Sequence, residues 1–184
     1  MTLNKICNHW TAGTDKPCSK DLESYHYLID KNGKIYKGKY TPEDNINCND
    51  GHYAKHCGNG NTNCIGISLC GMFNFSELKK QTKYPITQKQ VETLCALNAY
   101  LSIKYKFDIS EKSIFTHYEF DKKQPKSKRK GKIDIIYLPF LPNLHKDSIG
   151  NYIRNKSSWY KIKFVQKKYK LVKKGDSYEI IFTG

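Results

Sequence analysis

Apolar and polar positions alternate along this chain in a pattern that predicts a sheet first and a helix later. Residues 3–9 form an apolar run that reads as a short buried strand ending at His9, followed by a polar stretch, 10–24, containing Gly13 and Pro17. Tyr25-His26-Tyr27-Leu28-Ile29 is rich in β-formers and predicts a second strand. Asp30-Lys31-Asn32-Gly33 is a hairpin-turn signal, and Lys34-Ile35-Tyr36-Lys37 returns as a third strand. Thr41 to Asn63 is a long polar loop, and such a loop inside a compact domain is more often functional than not. Cys64 to Gly71 is the most apolar strand and is placed at the centre of the sheet.

Thr87 followed three residues later by Gln90 is a capping box, so a helix is expected from there to Lys106. Val91, Leu94, Cys95, Asn98 and Leu101 fall on one face of it. Residues 113–120 read as a strand or extended segment carrying His117. Asp121 to Lys132 holds seven Lys/Arg against one acid and reads as a solvated loop; Ile133 to Leu141 is apolar again. Beyond Asn143 no long helical pattern is visible. The alternating runs Trp159–Val165 and Tyr178–Phe182 predict short strands of a basic appendage. The fold expected is α/β: a mixed central β-sheet flanked by helices, plus a small C-terminal β-rich extension, with the boundary between 1–143 and 144–184.

At 184 residues the chain can bury one proper core. It contains no apolar run long enough to span a membrane and no signal-peptide pattern at its start, so synthesis in a cytosol is expected. The formal net charge of +15 favours a polyanionic partner: nucleic acid, an anionic membrane or a wall polymer. Charge alone does not choose among them. Seven cysteines without a CxxC pair read as free, partly buried thiols rather than a zinc knuckle.

Three residues carry candidate chemistry. His9 ends an apolar segment just before a polar turn, and His117 and Asp134 lie far downstream in similar settings. Two histidines and a carboxylate offer zinc three protein ligands and leave a fourth position for water, the arrangement of a hydrolytic site. His26 and His52 read as structural or loop residues and His145 as a surface residue.

The order His9-Trp10-Thr11-Ala12, Tyr25–Ile29, His56 to Gly71, a helix, Thr116-His117 and Lys132-x-Asp134 resembles the zinc-dependent N-acetylmuramoyl-L-alanine amidases over residues 4–142. That family includes phage lysozyme-type amidases, anhydromuropeptide-recycling amidases and peptidoglycan recognition proteins. The resemblance implies a Zn2+ cofactor held in a cleft by His9, His117 and Asp134, the last at a place where phage-type relatives use cysteine and recycling enzymes use aspartate. It makes Lys132 the cation that polarises the scissile carbonyl, with Lys130 its competitor. It makes Tyr25 the catalytic tyrosine and places His56 in the lining of the substrate cleft.

The activity implied is hydrolysis of the amide between the lactyl group of N-acetylmuramic acid and L-alanine, in peptidoglycan or a muropeptide. The amidase domain would be residues 1–143, with 144–184 associating with the wall. A monomeric phage-type lysis enzyme (an endolysin) with no specific nucleic-acid partner is the reading, acting on the wall once released. The alternatives are a cytosolic muropeptide-recycling amidase, a non-catalytic peptidoglycan-binding module, or, on charge alone, a nucleic-acid-binding protein.

Overall fold

A computed structural model describes residues 2–183. In chain order it contains β1 (Lys5–Trp10), α1 (Ser19–Ser24), β2 (Tyr27–Ile29), β3 (Ile35–Lys37), β4 (Cys64–Leu69), α2 (Gln88–Lys104), β5 (Ile114–Thr116), α3 (His117–Lys123), α4 (Lys146–Val165), β6 (Tyr169–Lys174) and β7 (Ser177–Phe182). The strands form one seven-stranded mixed sheet in the order β5-β1-β4-β2-β3-β7-β6. β1 lies parallel between β4 and β5, and β4 also pairs in parallel with β2. The β2–β3 hairpin is antiparallel, as the Asp30–Gly33 turn predicts. The α/β class read from the pattern is the class observed.

β1 and β4 are buried on both faces, as parallel strands between covering layers must be. Successive side chains point to opposite faces. Ile6 and Trp10 therefore join the main core beneath α2, while Cys7 faces a smaller cluster with Cys57, Cys64 and Phe115. His9 shares the face of Cys7.

The Thr87 cap is present: Gln90 N–H donates to Thr87 Oγ1 at 3.2 Å and Thr87 N–H to Gln90 Oε1 at 2.9 Å. Gln90 Nε2 also donates to the carbonyls of Ile29 and Cys70, fastening the helix start to two strand ends. The expected face of α2 is buried, but so are Ala96, Leu97 and Ala99. A helix buried nearly all round needs a second layer over it. That layer is α4.

Here the sequence expectation fails. Trp159–Val165 is not a strand; it is the last third of the twenty-residue helix α4. Ile149, Ile153, Ser157 and Tyr160 are among its buried residues and recur at helical spacing, and the helix packs on α2. The short alternation at its end is compatible with either period, and the apolar outer surface of α2 decides it. Tyr178–Phe182 does form a strand, β7, which bridges to β3 through Ile35 and Tyr178. Residues 113–120 are also corrected: the strand ends at Thr116 and α3 starts at His117.

The long loop 41–63 is pinned by buried Asn45. Its Oδ1 accepts from Ala54 N–H at 2.9 Å and from His26 Nε2 at 2.9 Å, and its Nδ2 donates to the carbonyls of Ala54 and Asn61. No helix among the described residues is long and apolar enough to cross a membrane.

Candidate metal centre

Three separate parts of the chain bring His9, His117 and Asp134 together. His9 is carried by β1 on the face opposite α2 and is fully buried. His117 is the first residue of α3, behind a capping box in which Glu119 N–H donates to Thr116 Oγ1 at 3.1 Å and Thr116 N–H to Glu119 Oε2 at 2.9 Å. The box sets where the helix begins and so where the imidazole points. Asp134 lies in a turn followed by Ile135 at φ +62°, a left-handed conformation costly for a β-branched residue. Ile135 is 1% exposed, so its burial offsets the strain that keeps the neighbouring carboxylate aimed at the histidines.

One ligating atom from each residue lies within 4.8 Å of those of the other two. His9 Nδ1 is 2.9 Å and His117 Nδ1 3.0 Å from the same oxygen, Asp134 Oδ2. An ionised carboxylate accepts only, so each contact requires a proton or a metal ion in between. Bonds of about 2.0–2.1 Å at a tetrahedral ion imply ligand–ligand separations of about 3.3 Å. The observed edges are slightly shorter, and two imidazole nitrogens with one carboxylate are a zinc donor set. These residues fit the ion.

The charges are strongly coupled. Burial alone would raise the Asp134 carboxyl, but the hydrogen bonds of His117 and His9 hold it well below the usual carboxylate range. Burial opposes protonation of His117 too, yet contacts to Asp134 and Cys57 raise it to about 9. His9 moves down, chiefly by burial. Cys57 is lowered by its hydrogen bond with Cys7 and by the imidazole of His117, whereas burial pushes Cys7 up. The described residues contain seven free cysteines, five of them buried.

Tyr25 follows α1, two residues before β2 begins, with its ring centroid 5.2 Å from that of His9. Burial, then the Asp134 charge, raises its phenol, which keeps its proton at neutral pH. Lys132 and Lys130 both line a cleft of about 460 Å³ that opens on Asp134, together with Trp10, Phe73, Phe75 and Ile133. His56 is not on that cleft wall: it is 6% exposed, with Nδ1 3.2 Å from His9 Nε2 and Nε2 3.1 Å from the Cys64 carbonyl. His26 is a buried tie, accepting from Gly66 N–H at 2.8 Å, whereas His52 is exposed and His145 caps α4.

Asp121 is the residue that sequence reading passed over. Its carboxylate accepts from Lys130 N–H at 2.7 Å and Lys132 N–H at 3.1 Å, so the basic segment is folded back rather than free in solvent. The signal available was one acid at the head of a run of cations.

A sequence profile described as N-acetylmuramoyl-L-alanine amidase (Amidase_2) matches residues 1–131. That stretch includes His9, Tyr25, His56 and His117 and ends just before Lys132 and Asp134. Among solved structures, the amidase LysC from Clostridium intestinale URNW is 21% identical at a TM-score of 0.50, covering 86% of this chain and 87% of that one. The Ph2119 endolysin from the Thermus scotoductus bacteriophage is 15% identical at 0.48, covering 85% and 86%. The E. coli amidase AmiD, solved with anhydro-N-acetylmuramic acid-L-Ala-D-γ-Glu-L-Lys, is 19% identical at 0.48, covering 67% and 52%. No curated protein sequence matches this chain.

Proposed function

Since the chain belongs to the N-acetylmuramoyl-L-alanine amidase family, we propose that it is a zinc-dependent peptidoglycan amidase of the phage lysis type. It cleaves the amide between the lactyl group of N-acetylmuramic acid and L-alanine. The observation that carries this reading is the meeting of His9 Nδ1 and His117 Nδ1 at one oxygen of Asp134, beside an open cleft. His9, His117 and Asp134 would hold the zinc ion, which would supply Lewis acidity and a water made nucleophilic near neutral pH.

The remaining roles belong to the chain itself. Lys132 brings a cation to the cleft in which the carbonyl oxygen gains negative charge, and charge that develops only in the transition state is where such a group lowers the barrier. Asp121 fixes the backbone at that lysine and two residues before it. Tyr25, protonated, is a hydrogen-bond donor to the tetrahedral intermediate. Phe73 and Phe75 offer apolar faces for the sugar or the stem peptide.

Residues 1–143 supply the chemistry. Residues 144–184 brace it, because Arg154 of α4 bonds Glu119 in the cap that sets His117. The net charge of +15 favours the anionic wall over a small soluble muropeptide as the target.

Purified protein incubated with cell walls is expected to release new L-alanine amino termini, and a chelator is expected to stop the release. Release that persists in chelator, or walls cut at another bond, would refute this function.

A further inference from the structure

Both ring nitrogens of His56 are engaged inside the protein, and following their protons fixes the state of His9. The Cys64 carbonyl can only accept, so His56 Nε2, 3.1 Å away, carries a hydrogen. His56 is buried, and among the described residues it has no carboxylate partner, so it is neutral and its Nδ1 is a bare acceptor. His9 Nε2, 3.2 Å from that Nδ1, must then donate. With Nε2 committed to His56, Nδ1, 2.9 Å from Asp134 Oδ2, is the one nitrogen of His9 that can give a lone pair to a metal ion.

We propose that His56 is a positioning residue: it locks His9 in the tautomer whose Nδ1 is free to bind a metal ion. It does so without touching substrate, since neither of its nitrogens is left over for one. The proposal rests on the reading of His9, His117 and Asp134 as a zinc site.

Two features of the sequence serve this arrangement. The His56 side chain packs against β4 at Gly66, where a Cβ would sit 2.4 Å from His56 Cγ, so only glycine leaves room. Asn45 clamps the chain at Ala54, two residues before His56, through hydrogen bonds to both its N–H and its carbonyl. The long polar loop therefore delivers one imidazole to one place behind a strand. Groups that orient a ligating histidine from behind are worth about 10–100-fold in metal affinity.

The test measures zinc stoichiometry and affinity by chelator competition for the full chain and for His56→Leu and His56→Asn. It also reads the His9 tautomer by 15N NMR in the metal-free protein. Asparagine places an amide oxygen where Nδ1 stood and can still accept from His9; leucine cannot. One zinc per chain is expected for the parent, with affinity about 10–100-fold weaker for His56→Leu and largely recovered in His56→Asn. Gly66→Ala is expected to resemble His56→Leu.

Equal affinities for the parent and His56→Leu, or equal losses for leucine and asparagine, would overturn the role of His56. So would a His9 that carries no proton on Nε2 in the parent, a result independent of whether either variant folds. A parent that binds no zinc, while His9 is still protonated at Nε2, would instead overturn the metal-site reading.

Discussion

Replacing Arg154 with leucine tests whether the C-terminal helix supports the site. Arg154 Nη1 donates to both oxygens of Glu119, at 3.0 and 3.1 Å, and to the Ile114 carbonyl at 3.1 Å. The side chains are 10% and 16% exposed, so little water is available to replace these bonds. Removing one member of a buried ion pair leaves the other charged and unpaired, at a cost of about 3–5 kcal/mol. Glu119 keeps its bond from Thr116 N–H and some solvent, which places the expected loss near the lower end, about 3 kcal/mol.

For a chain of this length each kcal/mol moves the melting temperature by about 2–4 °C, giving a fall of about 6–12 °C. Circular-dichroism melts of the metal-free protein measure it. Adding Glu119→Gln to Arg154→Leu should recover part of the loss, because a neutral amide is cheaper to leave buried without its guanidinium. A shift below about 2 °C, or a double variant no better than the sum of the two singles, would show that the pair is not the brace inferred here.

Lys132→Ala should keep its zinc and lose about 10²–10³-fold in kcat, with Lys130→Ala near parental; the reverse ranking in a muropeptide-cleavage assay would assign the role to Lys130. Asp134→Ala should lose both metal and activity, and zinc retained at parental affinity would remove Asp134 from the ligand set. In chelator, stability should depend on pH through His117, whose folded value of about 9 lies above its ordinary 6.5. A group raised on folding stabilises fully below its unfolded value and loses that contribution as pH rises through the folded one. The melting temperature should therefore fall between pH 6.5 and 9 and flatten in His117→Gln; an unchanged slope in that variant would locate the titration elsewhere.

The local signals in this chain were strong where one segment decides its own conformation. The Asp30–Gly33 hairpin, the Thr87–Gln90 cap and the double-sided apolar pattern of Cys64–Leu69 each depend on neighbours in sequence, and each is found in the fold. The α/β class followed from them. The residues of the centre were legible as His9, His117 and Asp134 because their order along the chain matched a family pattern, although nothing in their spacing places three such distant side chains together.

Tertiary structure decided the rest, because the deciding contacts come from far along the chain. Residues 146–165 are helical because α2 presents an apolar back that only a second helix covers. The segment 121–132 is folded back because Asp121 gathers two amides from it, a bond invisible to charge counting. His56 reads in sequence as a cleft residue, yet in three dimensions it stands behind His9. The difference is a matter of direction: composition and periodicity say which groups a chain contains and which are buried, but where a proton or lone pair points is set by partners that only the folded backbone brings within about 3 Å.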